Sequence, residues 1–431
     1  MDSFFEGRKR KGNEKMNKNI KKINNSHIAL LTVILISYFA VGLPDGSFAM
    51  AWYGMEVDLG LTIAHSGPIL VGFSVTYILA GMTLGWMNRY IKLQTIYFWG
   101  MIILGVGFIA LALSPNFITA LIAIVVYGLG IGMMASSMNS YMAKHFTTRH
   151  NNWMHCFWGG GAALSPGIMS QMMVLISWRA GYFVLAAIVG LVAVMLLVSM
   201  YKGIWLEDNE AKVELEKEAD SGKEHLTKTD STKIDSAKTN STKTYLTKKW
   251  HQWTEVLTFF FLGGTDYTLV FFVGMVLMER GLSLVEIALF PTVYYVSITG
   301  GRMFFGWVAK WLEETTIIRT GCGLAVIGIG IIYFTSNVAG MAITGLGLSP
   351  LLPTLVSDTS NRFKPDIISK LVGYEMAAFG VGIAVLFFMT SIILEVISLE
   401  VLFPLMLAFI GLVFVCNEIL KMAVKINKNM Q

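Results

Sequence analysis

Apolar residues run along most of this chain in stretches of about twenty or more positions, long enough as helices to cross roughly 30 Å of hydrocarbon. Short polar breaks separate one stretch from the next. In the first half, spanning windows fall at roughly 28–50, 65–87, 95–113, 118–142, 153–175 and 181–201. In the second they fall at roughly 252–277, 284–308, 317–335, 338–357, 369–394 and 398–421. The pattern predicts an all-α membrane protein with twelve transmembrane helices.

The two sets of six are copies of one unit. Sliding the chain by 221 residues, the separation of Asp45 from Asp266, also lays Gly42 on Gly263, Gly60-Leu61 on Gly281-Leu282 and Gly85-Trp86 on Gly306-Trp307. A basic residue follows at the matched turn of each copy, Arg89 and Lys310. Further on, Gly128-Leu-Gly-Ile matches Gly345-Leu-Gly-Leu and Phe146 matches Phe363 at an offset of 217, the change a shorter connection makes. Because six spans separate the copies, both enter the membrane from the same side. They form two six-helix bundles related by a pseudo-two-fold axis along the membrane normal, with a cavity between them.

Lysine and arginine in the short connections set the expected orientation. Arg8, Lys9, Arg10 and Lys11 precede the first span, and Arg89, Lys92, Lys144, Arg149, Lys310, Arg319, Arg362, Lys364, Lys421 and Lys425 fall in alternate turns. Only Arg179 and Arg280 fall on the other side. Both termini are therefore expected in the cytoplasm, with the chain in the inner cell membrane. The expected organisation is a basic tail over 1–27, bundles over 28–201 and 251–422, a cytoplasmic linker over 202–250 and a tail over 423–431. The linker is polar and ends in a repeated pentapeptide beginning at Thr227, Thr232 and Ala237, which points to disorder.

Composition narrows the function. The 431 residues are 55% hydrophobic and 14% charged, more apolar than a soluble fold could hide. The net charge of +5 sits in turns that orient helices and does not point to nucleic acid. Cys156, Cys322 and Cys416 lie inside apolar runs without metal-ligand or CxxC spacing and are expected to be core residues. No phosphate-binding loop or nucleophile–base grouping is present, so neither an enzyme nor a nucleotide-driven pump is expected, and no metal or other cofactor is implied.

Over nearly its whole length the pattern resembles the major facilitator superfamily. Gly42-Leu-Pro-Asp-Gly in the first span and Asn152-Trp-Met-His-Cys-Phe-Trp-Gly-Gly-Gly at the fifth are similar to the fucose-proton symporters and sugar-transporter-like relatives. The resemblance implies alternating access, and in proton-coupled members of that branch an aspartate on the first span carries the coupling. One departure is the turn Gly85-Trp-Met-Asn-Arg89, which has no acidic residue where the family usually carries one.

Buried charge picks out the candidate residues. An ionised aspartate at mid-helix costs about 2.5–3.5 kcal/mol on insertion scales, so function or pairing must offset Asp45 and Asp266. Glu375 is a further candidate for proton coupling, and Arg302 is expected to pair with it in a gate, with Arg89 and Lys310 at the matched turns. Cavity contacts are expected from Trp52, Asn139, His155, Trp158, Tyr267, Tyr294 and Tyr295, although Trp52, Tyr53, Tyr294 and Tyr295 fit equally well as interfacial aromatics. The leading expectation is a secondary transporter of a small polar solute, a sugar or related compound, coupled to protons or sodium and acting as a monomer in the bilayer. The rivals are a proton-driven exporter of lipophilic or cationic compounds and a non-transporting sensor or scaffold.

Overall fold

A computed structural model describes residues 2–206, 245–246, 248–309 and 311–429. Among them the chain is helical throughout: α1 (Asp2–Leu59), α2 (Ser66–Met87), α3 (Leu93–Ala112), α4 (Phe117–His145), α5 (Thr148–Leu175) and α6 (Trp178–Tyr201) form the first half. The second half holds α7 (Lys249–Glu279), α8 (Leu284–Val308), α9 (Glu314–Thr335), α10 (Val338–Leu348), α11 (Leu351–Arg362), α12 (Pro365–Val396) and α13 (Leu402–Asn429). Helices α10 and α11 are the two parts of one span, broken at Ser349-Pro350. Most of the expected linker, and Lys310, lie outside the described residues.

Eleven spans among the described residues are long and apolar enough to cross a membrane. The expected span that fails that measure is α5, which is rich in glycine, serine and methionine and packs between α1 of its own half and α8 of the other. Its small residues lie at these crossings, while Phe157, Leu164 and Val174 on its other face remain exposed. Asn116, Ser177, Ser283 and Asn337 cap α4, α6, α8 and α10 with side-chain oxygens, satisfying amides that would otherwise be orphaned.

The sequence repeat reappears as repeated packing. In the first half, a Cβ on Gly42 would strike the carbonyl oxygen of Trp158, and one on Gly161 that of Phe39, so α1 and α5 cross with backbones touching. In the second half the same statement holds for Gly263 against Phe379 and Gly382 against Phe260, at the crossing of α7 and α12. All four pairs of counterparts stand 221 residues apart. Small residues at these crossings permit the contact, as expected where lipid offers no hydrophobic drive for helix association.

The two halves meet along α5 and α8, and again on the face away from the termini. Phe48 and Trp52 of α1 pack on Phe271 of α7, with ring centroids 5.5 and 5.9 Å apart. The start of α2 meets the end of α12, where Gly67 faces Phe388 and Ser391, and the amide of Ala64 reaches Glu395 at 3.4 Å. On the same face each half carries one ion pair of its own. Arg179 binds Asp58 at 2.5 Å, and Arg280 binds Glu400 at 2.6 Å. Arg179 and Glu400 are repeat counterparts, and their partners Asp58 and Arg280 lie within one residue of matching positions, so both outer arginines serve the same corner of their halves. Toward the termini, by contrast, Met82 and Trp86 of α2 and Tyr374 and Met376 of α12 are exposed.

Candidate functional site

Helix α1 is closed to solvent from Ala40 to Tyr53 except at Asp45. Helix α7 is closed from Leu262 to Leu277 except at Asp266 and Tyr267. The accessible carboxyls do not face lipid, because their neighbours come from the interior of both halves. Trp158 of α5 donates its indole N–H to Asp45 Oδ2 at 2.8 Å. The Tyr295 hydroxyl of α8 lies 3.5 Å from the Asp45 carbonyl oxygen, and its ring meets Trp158 edge-on at 6.0 Å. The adjacent Tyr294 donates its hydroxyl to Asp266 Oδ1. Asp45, Trp158, Tyr295, Tyr294 and Asp266 thus form a continuous arc across the seam, and the two carboxyls interact electrostatically.

Local sequence sets this arc. Pro44 lacks an amide hydrogen and so leaves the Ala40 carbonyl without its helical partner, loosening α1 beside Asp45. The glycine at position 42 lets α5 approach until Trp158 reaches the carboxylate. The copies then diverge: the counterpart of Trp158 in the second half is Phe379, which has no polar hydrogen to donate. Asp266 therefore takes its hydrogen bond from Tyr294, whose own counterpart is Phe73. Each acid has one aromatic donor, drawn from a different helix pair.

A second polar tier lies two helical turns nearer the termini. Tyr38 shares the face of α1 that carries Asp45, meets His155 edge-on at 5.6 Å and lies 3.4 Å from Asn139 Nδ2. The Arg302 guanidinium stands 5.9 Å over the Trp158 ring and interacts electrostatically with Asp266 and His155. Tyr267 packs on Phe387 at 6.0 Å and stays partly accessible. Helical spacing from Asp45 could have flagged Tyr38, which the sequence analysis passed over.

Three expectations need correction. Arg302 and Glu375 do not pair: Arg302 belongs to the central arc, whereas Glu375 is fully buried on α12 and accepts from Thr359 at 2.9 Å. Trp52 neither lines the accessible space nor lies at an interface. It is wholly buried in the closure between α1 and α7, and its indole nitrogen has no partner among the described residues. Tyr53 is buried in the same seam against Gly274, and Tyr294 and Tyr295 are buried in the arc, so none of these is an interfacial aromatic. Arg89 is exposed at the turn after α2.

The fold and the central arc define a polytopic membrane protein of two homologous helical halves with an ionisable centre between them. The model of the Major Facilitator Superfamily matches residues 34–386, and the chain belongs to that family of transporters. Among solved structures, that of the nucleoside transporter NupG superposes with a TM-score of 0.69 at 11% identity, covering 93% of this chain and 99% of that one. The structure of the peptide transporter POT in complex with sulfate gives a TM-score of 0.69 at 15% identity, with 94% and 95% covered. At these identities the likeness concerns the fold.

Proposed function

We propose that this protein is a proton-coupled secondary transporter of a small polar organic solute, a sugar or a related ring compound, with Asp45 and Asp266 as its coupling and solute-binding carboxyls. The observation that carries this reading is the arc itself: two acids at the seam of the halves, each held by one aromatic N–H or O–H and each partly accessible in an otherwise closed stretch of helix. A carboxyl in such a place can bind a proton when water reaches it and lose it when the path changes. Aromatic rings beside hydrogen-bonding groups suit a sugar, whose C–H face stacks while its hydroxyls bond in the ring plane.

The closure between α1 and α7, and between the start of α2 and the end of α12, supports a state sealed on the far face and open toward the termini. With the termini in the cytoplasm, this is the inward-facing state of alternating access. Rocking the halves would break the Phe48, Trp52 and Phe271 contacts and close the tier at Tyr38 and Arg302.

Thermal-shift screening of the purified protein against sugars, nucleosides and cationic drugs tests the solute class. A specific ligand at a hundred times its Kd stabilises the folded state by about 2.7 kcal/mol. The expected result is a rise in melting temperature with a sugar or nucleoside that is lost in Trp158→Ala. Stabilisation by cationic drugs alone would favour the exporter.

A further inference from the structure

Away from the central arc, the termini-side corner of the second half holds a buried charged cluster drawn from four helices. Arg362 at the end of α11 binds Glu255 of α7 at 3.0 Å, Asp358 one turn earlier on its own helix, and Asn417 Oδ1 of α13 at 2.5 Å. Glu375 of α12 joins through Thr359, and it interacts electrostatically with both Glu255 and Arg362. Glu255, Glu375 and Asn417 are each 0% exposed, and Arg362 is 4% exposed.

Charge does not balance here. Arg362 acts on Glu255, Asp358 and Glu375 and Lys421 of α13 on Asp358, while Glu418 is taken by Arg319 at 2.6 Å and Glu314 adds only further negative charge beside Asp358. Among the described residues, at least one carboxyl is left without a cation of its own. The orphaned atoms point the same way: Glu255 Oε1, Glu375 Oε2 and Asn417 Nδ2 find no hydrogen-bond partner among the described residues. Fully ionised buried carboxylates with free oxygens carry a large desolvation cost, which a bound proton removes.

The first half carries no acid at the matching positions. At the repeat offsets, Ile34 stands for Glu255, Met154 for Glu375, Tyr141 for Asp358 and His145 for Arg362. The acids are an addition made in one copy, not a requirement of the packing. Water is kept out by the stretch preceding α7: the Leu246 amide donates to the Arg362 carbonyl at 2.7 Å, and its side chain is buried on Phe363, Leu371 and Leu420.

We infer that Glu255 and Glu375 form a second proton-binding site, holding one shared proton on their free oxygens, separate from Asp45 and Asp266. The inference stands on this corner alone and does not depend on the solute or on the role of the central pair.

Infrared spectroscopy of the full-length protein at neutral pH, with hydrogen–deuterium exchange, tests it. In the Asp45→Asn/Asp266→Asn background, the spectrum should keep a protonated carboxylic acid band that adding Glu375→Gln or Glu255→Gln weakens or removes. Absence of the band in that background, or its survival in both glutamine variants, would overturn the inference. Stability supplies a second readout. Glu375→Gln mimics the protonated acid and should melt with the parent protein, while Glu375→Ala melts lower. Equal loss in both would show an ionised carboxylate instead. A rise in melting temperature with sodium chloride, but not with choline chloride, that Glu375→Gln abolishes would put a metal ion there and would also overturn it.

Discussion

Replacing Asp45 by asparagine should abolish solute-driven proton uptake in reconstituted vesicles while leaving solute binding within about tenfold of the parent, a change of about 1.4 kcal/mol or less. Asparagine retains an oxygen for the Trp158 indole hydrogen, so the arc can keep its shape. What is lost is the ability to take and release a proton. Coupled uptake should fall at least a hundredfold, to the level of empty vesicles, whereas exchange of labelled for unlabelled solute across the membrane persists. Unchanged coupled uptake would remove Asp45 from the coupling role and leave Asp266 to be tested alone.

The second large effect concerns folding. Arg362→Met should destabilise the protein by about 3–5 kcal/mol, because it strips the cation from the fully buried Glu255 as well as from Asp358. Equilibrium denaturation in detergent measures this. Adding Glu255→Met should recover part of the loss, since replacing both members of a buried pair costs far less than orphaning one. If Arg362→Met unfolds with the parent protein, the buried cluster contributes nothing to stability.

Much of this architecture was legible in the chain because the bilayer imposes simple length and polarity rules. The repeat was legible for a more particular reason. Gly42 and Gly263 stand where backbones touch, so no larger residue fits and the copies stay in register. Asp45 and Asp266 stood out because a carboxylate inside an apolar run needs a cause. Their partners did not, since Trp158 and Tyr294 reach them only through the register of helices crossing from elsewhere. Similar depth suggested that Arg302 and Glu375 would pair, but depth says nothing about direction around a helix axis, and the two point into different compartments. Glu255 was passed over because it falls near the start of a span, where a carboxylate usually reaches water. Arg362 had been counted only as one more positive charge in a connection. Helix α5 is legible as a span although it is less apolar than the others, and the glycines that lower its hydropathy stand where it crosses α1 and α8.

The central claim is that the two acids open onto one aqueous space between the halves. Labelling of Tyr267→Cys, made in a protein whose Cys156, Cys322 and Cys416 are serine, tests it most directly. Tyr267 shares the accessible notch of α7 with Asp266. A membrane-impermeant thiol reagent should label it from the side that bears the termini when no solute is present, and transported solute should slow that labelling. Reaction only with lipid-soluble reagents, at a rate solute does not change, would contradict the claim.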